Sequence, residues 1–512
     1  MEPRFQQRKE ELLADCHVPP TAFRGAVHRL EIFAQPFVAS LPSPESQQHT
    51  RTYLSGLLSD LEHKNAEAIA YRYDLDRQTL QHYLGTTPWD HLPPMDVLNR
   101  QVAAVLGRPD AVLVFDPSGF PKKGDASVGV QRQWCGRLGK VENCQVGVYL
   151  GYVTDVEHVL VDFRLYLPAE WAKDRQRRKQ CGIPKEVRYR TRHELALEML
   201  DCRGALLPHG WISGDDEMGR PAWFRRKLAA RHERYLLAVA SNTSIRDLEA
   251  EPPPYGGHGR RPKPPFVGVR AWCEALPAEA WTRLTVRDGE KGPLEVEMVV
   301  RRVESKVERR VVGFEELLVV VRYEEGGEWK YDYHLSNAAA TTPVAELARV
   351  AKAEHRIEEC LKRGKSEAGL GDYQVRNWLG WHHHQALSLI AAWFLVQEAD
   401  RGKKDDAGIG GAAGPPGVGA DLSQGLWVRY GGAEQPRADA VAGAERIGAV
   451  VPLQGTQSAT AVEDPSIQPA HTVELALRSS THETEMADHT GIKAQRDRPE
   501  GLRSSARFAR AQ

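Results

Sequence analysis

The chain has 512 residues, 41% of them hydrophobic and 27% charged, too long for one ordinary core and apolar enough for more than one. With 68 Lys and Arg against 69 Asp and Glu, the formal net charge is -1, so any signal for a polyanionic partner has to be local. No run of about 18 apolar residues exists to span a membrane. The charged stretch Met1 to Asp15 lacks an apolar signal-peptide core. The 7 cysteines (Cys16, Cys135, Cys144, Cys181, Cys202, Cys273 and Cys360) form no CxxC pair, which fits reduced thiols in a cytoplasmic protein rather than a disulfide framework or a zinc ribbon.

Residues 1–107 read as a helical N-terminal domain. Phe23, Val27, Leu30, Phe33, Phe37 and Leu41 recur at spacings of three and four, making one helix stripe that Pro42-Ser43-Pro44 ends. Tyr53, Leu54, Leu57, Leu58 and Leu61 make a second. Ala66 to Tyr73 and Arg77 to Leu84 read as short helices on either side of a tight turn. They are either a helix-turn-helix that offers Arg77, Gln78 and Gln81 to a DNA groove or a plain helical hairpin.

The composition changes at Asp110. Ala111 to Phe115 is an apolar strand that ends in Asp116, followed by strand patterns over Gln145 to Val153 and Val159 to Leu167. A basic stretch runs from Lys173 to Arg192, then a helix from His193 to Cys202. Trp211 to Gly214 leads into Asp215-Asp216-Glu217, with a helix over Ala222 to Ala230 and a strand over Tyr235 to Ala240. Strands first, then strand and helix in alternation, argue a mixed α/β sheet across residues 108–250.

Proline clusters at 252–254 and 262–265 mark a break, and 251–336 reads as a β-rich insertion with strands at Leu294 to Val300, Arg309 to Val312, Leu317 to Tyr323 and Trp329 to Leu335. Helices resume over 337–400: Leu347, Val350, Ile357 and Leu361 share one face, and Gln385 to Gln397 is strongly apolar. Residues 401–512 read as a low-complexity, disordered tail. Past about Lys404 the loss of pattern is abrupt enough to suggest a frameshifted reading of an ancestral gene, the other reading being a tail native to this protein.

Three acids stand out. Asp116 ends an apolar strand and precedes Pro117-Ser118-Gly119 and the cations Lys122 and Lys123, where a phosphate-bearing substrate would fit. Asp215 likewise ends a strand, although with Asp216 and Glu217 it also suits the cap of the next helix. Glu358 lies on a helix, with Lys365 two turns further along the same face. Singly, each has a plain structural reading, as a turn acid, a cap or a solvated helix residue. Together they form an all-oxygen pocket that prefers Mg²⁺ or Mn²⁺. Two such ions suit in-line attack at phosphorus. His382-His383-His384 is a weak metal candidate, because consecutive helix positions point apart. Trp272, Trp281 and Trp329 could stack on an extruded base or simply pack a core.

Three segments carry a family resemblance that covers roughly residues 20 to 400: Val114-Phe115-Asp116-Pro117-Ser118-Gly119-Phe120-Pro121-Lys122-Lys123-Gly124, Gly214 to Pro221, and Arg356-Ile357-Glu358-Glu359 through Lys365 to Trp378. The chain resembles the DDE transposases of bacterial insertion sequences, most closely the seven-hundred-and-one family. The resemblance implies an RNase H-like catalytic core split by the β-rich insertion, with Asp116, Asp215 and Glu358 as catalytic acids and metal ligands. Asp215 is chosen over Asp216 because it lies four residues before Gly219, as in the family's Asp-x-x-Tyr-Gly pattern, where Met218 replaces the Tyr. A related signature places Arg four residues before the Glu; position 354 is Glu here, whereas Lys365 matches.

The implied partners are the element's terminal inverted repeats and target DNA, both double-stranded, with the protein acting as a homo-oligomer on paired ends and no membrane involved. Lys122, Lys123, Arg177, Arg178, Lys179 and Lys365 are the candidate DNA contacts. The expected reaction is cleavage at the element's ends followed by joining of the freed 3'-hydroxyls to target DNA. The alternatives are a transposase-derived DNA-binding regulator without catalysis and a stand-alone metal-dependent nuclease.

Overall fold

The computed structural model describes residues 6–9, 24–289, 292–307 and 313–409, so the reading of a strand at Arg309 to Val312 and all but the first nine residues of the tail read over 401–512 lie outside the described residues, while those nine residues, 401–409, are helical. From Arg24 the chain runs through helices α1 (Arg24–Ala39), α2 (Pro44–Leu57), α3 (Ala66–Arg72), α4 (Arg77–Gly85) and α5 (Leu92–Leu106). Their starts follow local chemistry. Ser43 caps α2 by accepting from the Ser46 amide, with Pro44 as the first helical residue; Asn65 caps α3 and Asp76 caps α4 in the same way.

Strand β1 (Val112–Pro121) follows, then β2 (Gln131–Cys135), β3 (Lys140–Val153) and β4 (His158–Leu165). The basic stretch folds as short helices α6 (Ala169–Lys173) and α7 (Arg175–Gln180) and a loop, ended by α8 (Arg192–Arg203), whose Thr191 and Glu194 form a capping box. Then come β5 (Trp211–Gly214), α9 (Asp216–Gly219), α10 (Ala222–Ala229), β6 (Tyr235–Ala238), β7 (Ser244–Asp247), β8 (Val267–Gly268) and α11 (Val269–Glu274). The hairpins β9 (Thr282–Gly289) with β10 (Gly292–Ser305) and β11 (Glu315–Glu325) with β12 (Glu328–Ser336) lead to the long helices α12 (Val344–Ser366) and α13 (Trp378–Ile409).

Among the described residues twelve strands join one sheet in the order β2-β3-β1-β5-β6-β12-β11-β10-β7-β8, with β4 on β3 and β9 on β10. At its centre β1 runs antiparallel to β3 and parallel to β5, and β5 runs parallel to β6. The sequence suggests that β1 stops at Asp116. It runs on to Pro121, because the longer β3 continues to pair with it down to Cys144, whereas the parallel partner β5 ends at Phe115↔Gly214. The strands from Thr282 to Ser336 extend this same sheet: β12 pairs antiparallel with β6 through His334↔Ala238, Leu335↔Leu237 and Ser336↔Leu236.

Helix α12 lies across β1, β3, β4, β5 and β6. It approaches so closely at Gly151 that a side-chain carbon there would meet Ile357 at 3.1 Å. Helix α13 packs against α2, α4 and α5 and carries the three consecutive histidines. All three are buried. The ring nitrogens of His383 lie 2.8 Å from the Leu84 carbonyl and 2.7 Å from that of Trp89, and His384 bonds Tyr53 Oη and the Gly369 carbonyl. Burial pushes both imidazoles down, His383 to about 4. These rings tie the N-terminal helices to the sheet through one continuous core that includes Phe37, Tyr53, Leu80, Trp381 and Trp393.

One buried ion pair fastens the outer strands to the central sheet. Arg225, on α10, donates to both oxygens of Glu316, on β11, at 2.8 and 3.1 Å. Ser305 and Tyr235 complete the carboxylate's shell at 2.9 and 2.7 Å, and both charged residues are only 2% exposed. Removing one partner strands the other charge in the core. Glu316→Ala is therefore expected to destabilise the fold by about 3–5 kcal/mol in urea unfolding. Glu315→Ala, one residue away in the exposed pair with Arg302, should leave the midpoint unchanged.

Candidate active site

Asp116 and Asp215 each lie one residue beyond the last parallel pair, Phe115↔Gly214, so two neighbouring strands deliver two carboxylates side by side. Side chains alternate along a strand, which puts Asp116 on the same face of β1 as Val114, Ser118 and Phe120. Val114 faces Gly151 across the β1–β3 ladder, and α12 covers Gly151, so Asp116 opens toward α12.

Asp215 is held by the start of α9, where its Oδ1 accepts from the Met218 amide at 2.9 Å. Gly219 ends that turn against the tip of β6; a side-chain carbon there would come within 1.8 Å of the Ala238 carbonyl. The Asp-x-x-x-Gly spacing thus has a packing reason as well as a family one.

Electrostatics couple the two strand acids. Burial, then Asp215 and Glu358, push the Asp116 carboxyl up to about 8, with Lys365 working in the opposite direction. Burial also raises Asp215 to about 7, helped by Glu217 and Asp216 and opposed by the Met218 amide and Arg192. Arg192 is bound to Glu217 at 2.7 Å.

Helix α12 presents Glu354, Glu358 and Lys365 toward this face. At about 100° per residue their positions fall within roughly 40° of one another. The Lys365 ammonium donates to Ser118 Oγ at 2.8 Å, which puts a cation beside β1 two residues past Asp116. Glu358 is exposed and pairs with His355 at 3.6 Å; that imidazole holds its carboxyl below the ordinary range. Glu354, one turn earlier, is pushed well above its ordinary value by burial and by Asp215, Asp332, Asp116 and Glu358. Its Oε2 lies 3.9 Å from the Nε2 of His334, itself 1% exposed. Glu354 therefore belongs to the acid group, a role that sequence reasoning missed by treating position 354 only as an absent arginine. Its spacing of four from Glu358 was the available signal.

Among the described residues, no three His, Cys, Asp or Glu side chains close on a single ion-sized position. The donor chemistry nevertheless suits a hard divalent cation. The donors are all oxygens, two are fixed by the sheet, and two have their charged forms disfavoured by burial and mutual repulsion, which a cation would relieve. The histidine run on α13 is packed among backbone carbonyls instead.

The candidate DNA contacts separate. Lys123 and Lys179 are exposed. Lys122 is turned inward, donating to the Tyr373 carbonyl at 3.0 Å with its ammonium 3.4 Å above that ring, and burial brings it down to about 8. Arg177 stacks on Trp171 at 3.7 Å and donates to the Asp125 carbonyl, and Arg178 donates to that of Pro184. In the helix pair α3–α4, Gln78 and Gln81 are exposed, while Arg77 lies 3.9 Å from Glu67. Of the insertion tryptophans, Trp281 is buried under Arg322 and Trp272 donates to Asp247 at 3.1 Å, whereas Trp329 is exposed.

Residues 36–293, which include both strand acids and much of the sheet, match the family model described as DDE superfamily endonuclease. The chain belongs to that superfamily. Over 182 residues this DDE endonuclease is 32% identical to a protein of Microchaete diplosiphon described as "Probable transposase for insertion sequence element IS701". The match covers 35% of the chain and 44% of that relative, less than half its length. Because Gly219 fixes the turn that Asp215 caps, Gly219→Ala should cost about 1–3 kcal/mol by overpacking. It should also lower nuclease activity by more than the stability loss explains, as measured by urea unfolding and by cleavage at a temperature where both variants are folded.

Proposed function

We propose that this DDE endonuclease is a DNA transposase: it cuts at the ends of a mobile element and joins the 3'-hydroxyl ends to target DNA by metal-dependent phosphoryl transfer. The observation that carries the reading is the delivery of Asp116 and Asp215 by adjacent parallel strands, one residue past Phe115↔Gly214, under a helix that bears Glu358 and Lys365. The central strand order β4-β3-β1-β5-β6, with its first three strands antiparallel and its last three parallel, supports an RNase H-like core. On this reading residues 1–107 are a DNA-binding domain, 108–250 and 337–400 form the catalytic core, and 251–336 are the insertion. The protein works in the cytoplasm as a homo-oligomer on paired element ends.

Asp116, Asp215 and Glu358 would hold Mg²⁺ or Mn²⁺, with Glu354 adding negative charge from the same helix. When bound, the ions supply Lewis acidity for the attacking and leaving oxygens. The chain's own contribution is position and charge. The sheet fixes Asp116, the Met218 amide fixes Asp215, and Lys365, braced on Ser118, offers an ammonium to the DNA backbone. His355 favours the ionised form of Glu358.

The test is a strand-cleavage and joining assay on labelled terminal-repeat DNA. Asp116→Asn, Asp215→Asn and Glu358→Gln should each abolish cleavage while DNA binding persists, because each removes a ligand charge at nearly constant shape. Cleavage retained within about tenfold removes that residue from the site. Loss in Asp216→Asn with activity kept in Asp215→Asn would move the ligand by one residue. Cutting without joining would indicate a stand-alone nuclease, and binding without cutting a regulator.

DNA affinity should also fall steeply with salt. Arg177→Gln, Arg178→Gln and Lys179→Gln together should flatten the slope of log K against log salt by up to about three. An unchanged slope would show that this segment faces away from DNA.

A further inference from the structure

The loop between α7 and α8 walls a cavity of ≈ 430 Å³ lined by Lys173, Arg175, Arg178, Lys185, Arg188 and Tyr189 among others. The charge around it is one-sided. Neighbouring arginines are neutralised: Arg164 by Asp162 at 2.8 Å, Arg192 by Glu217 at 2.7 Å, and Arg190 by Glu198. Among the described residues, no ion pair joins any of the five lining cations to a carboxylate. Arg178 and Arg188 instead turn guanidinium groups to the carbonyls of Pro184 and Lys185, which fixes the wall without cancelling its charge. Like charges held around a concavity repel one another until an anion enters.

The sixth residue decides what kind of anion. Tyr189 is 45% exposed and lines the cavity, so an aromatic face stands at its rim. Cations alone suit any phosphate, whereas cations beside an exposed ring suit a phosphate that carries a base. The volume lies in the range of about 300–1,000 Å³ typical of small-ligand sites, the scale of one nucleotide rather than of a double helix. The cavity is also linked to the acids. Arg192, three residues past Tyr189, lies over the Tyr166 ring at 4.9 Å and binds Glu217, two residues from Asp215.

We infer that this cavity is a subsite for one unpaired nucleotide of the DNA strand being processed, with the base on Tyr189 and the flanking phosphates among Lys173, Arg175, Lys185 and Arg188. The inference rests on the DNA-processing reading above and adds to it a preference for frayed or overhanging ends.

The test uses the full chain and two DNA probes, a blunt duplex and the same duplex with a short single-stranded extension carrying 2-aminopurine. Wild type should bind the extended probe about tenfold more tightly, and the 2-aminopurine emission should fall on binding as the base stacks. Tyr189→Ala should abolish both effects while leaving blunt-duplex affinity in place. Tyr189→Phe, which keeps the ring and loses only the hydroxyl, should retain most of the preference. Lys185→Ala with Arg188→Ala should reduce the preference and make it less sensitive to salt. Equal affinity for the two probes, or a preference and quench that survive Tyr189→Ala, overturns the subsite while leaving the DNA reading intact. Failure to bind either probe overturns the DNA reading itself. Because Tyr189 is exposed, an unchanged unfolding midpoint in Tyr189→Ala separates lost stacking from lost structure.

Discussion

The parallel pairing of β1 with β5 is the constraint on which the site depends. It places two carboxylates side by side at the point where one strand ends and the other continues, and it does so with backbone hydrogen bonds that neither acid can alter. Burial disfavours the ionised form of both, and neighbouring acids add to it: Asp215 and Glu358 raise Asp116, and Glu217 and Asp216 raise Asp215. The surrounding features bear on that unfavourable pair: the Met218 amide favours the charge on Asp215, Lys365 favours the charge on Asp116, and Arg192 opposes the acids that follow Asp215. The sheet keeps apposed what electrostatics alone would separate, which is the arrangement expected where a multivalent cation is part of the working state.

Much of the framework was legible in the sequence. Apolar runs such as Ala111 to Phe115 mark strands buried on both faces, and the stripe Leu347, Val350, Ile357 and Leu361 marks the helix that covers them. What could not be read was pairing across long separations. Nothing local in His334-Leu335-Ser336 says that these residues align with Leu236 to Ala238, so a segment set off by prolines reads as a separate insertion although it extends the sheet. The end of β1 was misjudged for the same reason. Pro117 and Gly119 suggest a turn, and only the length of β3 keeps them in the ladder.

The site was legible to different depths. Strand acids announce themselves because an apolar run ends in a charge. A helix acid does not, because Glu is common on solvated helices, and the structure accordingly shows Glu358 exposed beside His355 while the less conspicuous Glu354 is drawn inward toward His334. Charge counts mislead in the same way. The basic stretch 173–192 reads as a uniform patch. Folded, it separates into Arg177, packed on Trp171, Arg190 and Arg192, paired with glutamates, and a group around one cavity that has no carboxylate partner among the described residues. Only packing shows which cations remain available to an anion.

The buried Arg225–Glu316 pair ties these levels together. Besides Glu316, the Arg225 guanidinium binds the carbonyls of Gly219 and Arg220, in the turn that begins with Asp215, and Ser305 on β10. One cation is therefore shared between the loop that orients a candidate catalytic acid and two strands of the extended sheet. Displacing β10 and β11 from the loop would leave a charge unpaired in the core, where such a loss is most costly. The position of Asp215 and the seating of the outer strands are thus one mechanical unit. The segment that reads as an addition to the core in fact helps hold the strand acid beside Asp116.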